Sequence, residues 1–389
     1  MIKCLGRSPK RPYICVISVI ILIIVMKLFR DWIYKPASFH YNIRSYKQMK
    51  LSFILMTRND NYRGTTMERL ATTLREVCTG MERNGLSDVS EVVITDWNSK
   101  SPVYQIDWLQ PVYYHHPSCK IYWVKVSPEI AAKQAESPLS EVHALNVAAR
   151  FAHGEMILRI DQDTLVGPAF FHWLKIQRQQ GWPEINKVWW SGRRDTERFD
   201  YEKIVKDPYR FLEQYGKAIP YWFDNWFPYR ATKDYFGAAI GVFAIPKDAW
   251  MCSGGYNEGM IYFAYVEWGF FCRLHKYGVP FINTNYWGVS VHSPFYHIWH
   301  PRNDNKRFNP RFMSYKNERN WGLLDENLPV VGCYGGTCND IGTWDKVGSR
   351  FIPYKLNGYS CFHNKTHVFK GAPECNKEKL PFVNRFIVI

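Results

Sequence analysis

The sequence has no Gly-x-Gly-x-x-Gly turn after its first apolar strand pattern, no Cys-x-x-Cys knuckle, no internal repeat and no low-complexity tract. The missing glycine turn excludes a dinucleotide-dependent dehydrogenase. The missing knuckle excludes the common structural zinc modules. Basic residues exceed acidic ones to give a net charge of +15, yet no long basic run lies beyond the N-terminus. No RNA-binding aromatic signature is present either, so the charge points to a small anionic ligand and not to nucleic acid. Charged residues are 22% and apolar ones 46% of the 389, which excludes global disorder. Aromatics are plentiful at 17%. A large aromatic core accounts for most of the tryptophans, and an aromatic cleft that stacks on sugar rings is the second reading.

The first 11 residues carry Lys3, Arg7, Lys10 and Arg11 and no acid. An apolar run from Tyr13 to Met26 follows, short for a membrane span unless Lys27 snorkels and Leu28, Phe29 and Trp32 extend it. No small-residue cleavage site follows, so the pattern predicts an uncleaved signal anchor over 12–29, behind a cytoplasmic tail of 1–11. The positive-inside rule then puts the remainder in the Golgi or ER lumen, as a single-pass type II membrane protein. Six of the ten cysteines lie after residue 250. Cys333 with Cys338 and Cys361 with Cys375 are candidate disulfides, and Asn364 begins a glycosylation sequon.

Residues 30–49 read as a stem. The catalytic domain spans 50–325, and a Cys-containing extension spans 326–389. LSFILM from Leu51 is a buried-strand pattern. Met67, Leu70, Ala71, Leu74, Val77, Cys78 and Met81 then recur at helical spacing, with Thr65 and Glu68 as a capping box and Gly85 as the stop. EVVITDW over 91–97 and IYWVKV over 121–126 read as strands. Ser140 opens a second helix that Gly154 stops, and MILRI over 156–160 is a fourth strand. This strand–helix alternation predicts a parallel α/β sheet with ligands at the carboxyl ends of its strands.

Asp161-Gln162-Asp163 sits at one such end. If the segment is extended, both carboxylates project to one side and need a cation between them, and Mn²⁺ or Mg²⁺ suits such oxygen ligands. The alternative is a strand-end acid that caps the next helix. Glu267, in a helical stretch after Gly254-Gly255, is either a general base or a carboxylate on a helix dipole. Glu258 is a lesser candidate for the same task. His292, His297 and His300 are candidate metal ligands. Arg302 and Arg307 either clasp phosphate or form a solvated basic loop.

In this order, SFILMTRND, LNVAARFAHGEMILRIDQD, FGAAIGVFAIPKDAWMCSGGYNE with VEWGFFCRL, and YHIWHPRND resemble the GT-A glycosyltransferases, particularly family 2-like enzymes. The acceptor-side region is similar to that of β-1,4-galactosyltransferases and chondroitin-type polymerases. The resemblance covers about residues 51–325. It implies a Rossmann-like nucleotide-diphospho-sugar transferase domain using Mn²⁺ or Mg²⁺, a nucleotide-diphosphate sugar (UDP-sugar favoured) and a glycan or glycoconjugate acceptor. It further implies that Thr57, Arg58, Asn59, Asp60, Asp96 and Asp161 contact the nucleotide sugar. Asp161, Asp163 and His297 hold the metal, with His300 and His292 as alternatives to His297. Gly255, Tyr256 and Glu258 meet the acceptor, and Glu267 is the base of an inverting displacement. Val266-Glu267 departs from the usual Glu-Asp pair. A non-catalytic carbohydrate-binding membrane protein of the same fold and a nucleotidyltransferase are the competing functions.

Overall fold

The structure of the protein is a computed structural model. It describes residues 49–60, 64–183, 185–190, 193–218, 242–262, 266–276, 279, 281–283, 295–301, 309, 317, 321–323, 326, 328–334, 355–356 and 359–360. The expected anchor, most of the stem, His292, Arg302, Arg307, Asn364 and the side chains of the two expected cysteine pairs lie outside them. Among the described residues no helix is long and apolar enough to cross a membrane.

Four parallel strands form the centre of an eight-stranded sheet: β1 (Leu51–Thr57), β2 (Ser90–Trp97), β3 (Ile121–Val126) and β4 (Met156–Arg159), in the order β3-β2-β1-β4. α1 (Thr66–Arg83) connects β1 to β2, and α2 (Gln110–His115) precedes β3. α3 (Pro128–Gln134) and α4 (Glu141–Phe151) precede β4. Register aligns Thr57 with Asp96, so β1 and β2 reach the same edge, and Ile54 with Arg159, so β4 stops short of that edge and the chain leaves it through the Asp161 turn.

Beyond β4 the chain makes a smaller three-stranded sheet from β5 (Thr164–Val166), β7 (Arg193–Asp195) and β10 (Phe295–His297), with β10 central. The remaining strands complete the large sheet. β6 (Val188–Trp190), β8 (Phe243–Pro246) and β9 (Phe281–Asn283) extend it past β4 in the order β8-β6-β9. β11 (Val330–Tyr334) pairs antiparallel with β3 at the other edge. The segment expected as a separate extension from residue 326 therefore supplies a strand to the sheet.

Alternation along β1 and β2 feeds two cores. Ile54, Val93 and Trp97 face α4, α8 (Lys247–Ser253) and α9 (Val266–Lys276). Leu51, Phe53, Leu55, Val92 and Ile94 face α1 and α5 (Pro168–Gln179). Each fully buried Leu, Ile or Phe contributes about 1.5–3 kcal/mol. Trp97, Trp123, Trp189 and Trp250 are among the largest buried side chains, so much of the tryptophan content is core.

α1 ends as expected at Gly85. Its φ of +63° lets Leu86 N–H reach Met81 O at 2.8 Å and Gly85 N–H reach Glu82 O at 3.1 Å, the paired bonds of a Schellman stop. The capping box is a correction. The Thr65 side chain makes no cap hydrogen bond and accepts instead from Arg69 Nη1 at 2.7 Å, while Glu68 accepts from the Tyr201 hydroxyl. Ser140 likewise spends its hydroxyl on His143 Nδ1, 2.7 Å away, and does not cap α4. Gly154 lies three residues past the end of α4. A Cβ there would sit 2.6 Å from the backbone of Leu51 and Ser52, so close approach to β1 explains it. Cys78, read only as a helix-face residue, is disulfide-bonded to Cys119.

Candidate active site

β4 leads into the Asp161-Gln162-Asp163 segment, which forms a turn: Thr164 N–H reaches Asp161 O at 3.1 Å. The expectation of an extended segment with both carboxylates on one side is therefore corrected. The turn sends Asp161 and Asp163 to different partners. The Thr57 hydroxyl, at the end of β1, donates to Gln162 Oε1 at 2.7 Å and pins the middle of the turn to the main sheet.

Asp163 opens the small sheet. Ile298 N–H donates to its carbonyl at 2.8 Å, and β10 pairs with β5 so that His297 lies opposite Thr164. This register brings together residues far apart in sequence. His297 Nε2 is 3.6 Å from Asp163 Oδ1, and His300 Nε2 is 3.2 Å from Asp163 Oδ2. One ligand atom from each of the three residues lies within 4.8 Å of the others. The chemistry of this donor set fits a divalent ion. Asp195 Oδ1 lies 2.9 Å from His297 Nδ1, and its charge favours the proton on that nitrogen. His300 Nδ1 lies 3.0 Å from the Pro301 carbonyl, which only a protonated nitrogen can use. Both imidazoles are thus biased to offer the lone pair of Nε2 toward Asp163, as metal-bound histidines do. The fully buried Arg69, with Nε 3.7 Å from Asp163 Oδ2, partly balances the aspartate charge.

Asp161, also expected at the metal, is not one of the three residues whose ligand atoms converge here. Its Oδ1 lies 2.8 Å from Nη1 of Arg159, which is 2% exposed. Nη2 of Arg159 bonds Glu141 and lies 3.5 Å from Glu267 Oε1. Burial opposes the Arg159 charge, but Asp161, Glu141 and Glu267 keep it protonated. Burial pushes the Glu267 carboxyl up to about 7. Arg159 opposes that shift, and the charges of Glu141 and Asp161 add to it. The Glu267 side chain still keeps 20% exposure, enough to meet a solute.

Other expected contacts turn inward. Asp96 is fully buried, with Oδ2 accepting from Val103 N–H at 3.0 Å, so it shapes the loop after β2. Asn59 supports the same loop, its N–H donating to Ser99 Oγ at 2.7 Å. Arg58 and Asp60 pair at 3.6 Å and remain partly exposed near the same edge.

The expected acceptor trio lies in one turn, and its members differ in burial. Tyr256 is fully buried, its ring 5.0 Å from those of Trp250 and Phe270. Asn146 of α4 clamps its backbone, accepting from Tyr256 N–H at 2.8 Å and donating to Tyr256 O at 2.9 Å. Gly255, at φ +65°, leaves no room for a Cβ, which would sit 2.4 Å from Asn146 Oδ1. Glu258 Oε1 accepts from Asn146 Nδ2 and Gly322 N–H at 3.0 and 2.8 Å, and burial pushes its pKa up to about 7. These residues build the turn that precedes Glu267.

Sequence reasoning missed Arg69, Glu141, Asn146, Arg159 and Asp195. Only Arg159 left a signal, as a charge inside the apolar strand MILRI.

The sequence matches no protein-family model and no curated relative. Among solved structures, two of the Drosophila beta1,4-galactosyltransferase 7 catalytic domain align at TM-score 0.39. One holds xylobiose; the other, a mutant, holds manganese, UDP-Gal and xylobiose. They share 12% and 13% identity over 72% of this chain and 84% of theirs. S. aureus TarS aligns at TM-score 0.38 and 13% identity, over 64% of this chain and 60% of its own. GalNAc-T7 with UDP, GalNAc and Mn²⁺ aligns at 0.37 and 13%, over 65% and 44%.

Proposed function

We propose that this protein is a metal-dependent, inverting glycosyltransferase. It moves a sugar from a nucleoside-diphosphate donor, UDP-linked by preference, to a hydroxyl of a glycan or glycoconjugate. The observation that carries the reading is the convergence of Asp163, His297 and His300 at the carboxyl edge of the parallel strands. They would hold the ion, and a bound Mn²⁺ or Mg²⁺ supplies neutralisation of diphosphate charge. The sequence resemblance to GT-A enzymes supports the same reading.

Glu267 is the base. The acceptor oxygen attacks the anomeric carbon, its proton passes to Glu267, and the bond from that carbon to phosphate breaks with its electron pair leaving on the diphosphate. One in-line step inverts the anomeric centre. A carboxyl held at about 7 is well matched to this exchange near neutral pH. Arg58 and Asp60 stand at the strand edge where a nucleotide would lie.

The domain over 50–325 faces the lumen, tethered by the anchor at 12–29. The Cys78–Cys119 disulfide supports an oxidising compartment.

A donor screen with Mn²⁺ tests the reading on wild type, Asp163→Ala and Glu267→Gln. Wild type releases nucleoside diphosphate, and each variant loses at least about 100-fold. Normal turnover by both variants would sink the site assignment. Glycan binding without turnover would identify a non-catalytic binding protein, and pyrophosphate release a nucleotidyltransferase.

A further inference from the structure

Two carboxylates contend for one nitrogen of Arg159. Nη2 is hydrogen-bonded to Oε1 of Glu141, in the first turn of α4. The same nitrogen lies 3.5 Å from Oε1 of Glu267, at the limit of a hydrogen bond. Nη1 lies 2.8 Å from Asp161 Oδ1 in an ion pair. The guanidinium is 2% exposed and lies in a strand, so it has little freedom to serve both partners. Among the described residues, the charged or titratable groups that act on Glu267 are Arg159 on β4, Asp161 in the turn after it, Glu141 on α4 and Tyr256 in the turn after α8.

A carboxylate fully paired with arginine holds its proton more weakly by roughly one to three pH units. Such a group would be a poor base near neutral pH. Glu267 makes only a long ion pair with this buried arginine, at 3.5 Å, while Glu141 takes the hydrogen bond from the same nitrogen.

We infer that Glu141 is a positioning residue for Glu267: by holding Nη2 of Arg159 it keeps the guanidinium from closing its long ion pair with Glu267 into a hydrogen bond and leaves that carboxyl able to accept a proton. Its catalytic consequence rests on the proposed role of Glu267 as base; the competition itself does not. Arg159 thereby joins the Asp161 turn, on the metal side, to the base on α9.

Carboxyl ¹³C NMR of glutamate-labelled full-length protein tests this directly, with the Glu267 signal identified by its loss in Glu267→Gln. Three variants are informative. Glu141→Gln removes the charge, Glu141→Ala removes the group, and Glu141→Asp keeps the charge while shortening the reach to Nη2. In all three the Glu267 midpoint is expected to fall by about one pH unit or more; in Glu141→Gln and Glu141→Ala loss of the Glu141 charge adds to the effect, whereas in Glu141→Asp the charge remains and the fall reports Arg159 turning to Glu267. Arg159→Met is expected to move it upward. The acid limb of kcat/KM shifts with the midpoint, which a merely structural loss of activity would not produce. An unmoved midpoint in natively folded Glu141→Asp overturns the inference, whatever the charge-removing variants show. If the midpoint moves as described but wild type turns over no donor, the positioning role stands and the glycosyltransferase reading fails. If donor turns over but the midpoint stays, the reverse holds.

Discussion

The hydroxyl of Thr57, the last residue of β1, donates to Oε1 of Gln162 at 2.7 Å. One strand end thus grips the middle residue of the turn whose last residue carries the metal-facing carboxylate. Thr57→Val removes that grip at a fully buried position. Loss of one such bond costs about 1 kcal/mol, or roughly fivefold in Mn²⁺ affinity if the turn bears all of it. Thr57→Ser keeps the donor and is expected to bind as wild type does. Mn²⁺ titration followed by electron paramagnetic resonance compares the three, and equal affinities would show that the turn needs no such support.

Asp195 stands behind His297, with Oδ1 2.9 Å from Nδ1. Asp195→Asn removes the charge that keeps the proton on Nδ1. Losing such an outer partner lowers metal affinity about 10–100-fold. Calorimetric Mn²⁺ titration is expected to show that loss, with His297→Ala weaker still. Unchanged affinity in Asp195→Asn would mean that the carboxylate does not orient the ring.

Glu258 makes folding stability fall as pH rises. Its folded pKa of about 7 lies above the unfolded value near 4.3, so the folded state binds the extra proton between them. Its contribution is complete below about pH 4 and lost as pH passes through 7. His143, 3.7 Å from Glu258 and held neutral by burial with a pKa of about 4, acts in the opposite sense. Its contribution is present above about pH 6.5 and lost as pH falls toward 4. Subtracting the unfolding free energies of Glu258→Gln from those of wild type isolates the glutamate. The difference is expected to move against wild type by on the order of 1–3 kcal/mol from pH 5 to pH 8. A flat difference would refute the raised proton affinity. Glu258→Ala, which leaves Gly322 N–H and Asn146 Nδ2 without this acceptor, is expected to cost a further 1–3 kcal/mol or so at every pH.

The Cys78–Cys119 bond closes a separation of 41 residues between α1 and the approach to β3. Loop-closure entropy for that length amounts to about 4 kcal/mol. Denaturant unfolding of the Cys78→Ala/Cys119→Ala double variant is expected to show a loss of that order. A midpoint equal to wild type would remove this disulfide from the account of stability.

Much of the large sheet was legible because its signals are local. The first four strands are apolar runs, α1 and α4 carry apolar residues at helical spacing, and Gly85 can adopt the positive φ that a helix stop needs. Capping was not legible in the same way. Thr65 and Ser140 have the right side chains, but Arg69 and His143 lie within reach and take the hydroxyls first. The expectation that Gly255, Tyr256 and Glu258 meet an acceptor comes from the resemblance of Gly-Gly-Tyr-x-Glu to the acceptor-side turn of GT-A enzymes. Which way the turn faces depends on Asn146, 110 residues from Tyr256.

By itself the sequence determined that Asp161 and Asp163 stand at a strand end, that histidines follow, and that Glu267 opens a helical stretch. Tertiary structure decided how these groups divide. A turn sends Asp163 to the imidazoles and Asp161 to Arg159, because the small sheet lays β10 against β5 while Arg159 waits in β4. The proton affinity of Glu267 was decided there too. It follows from burial and from the distances of Arg159, Glu141 and Asp161, all of which come from other elements.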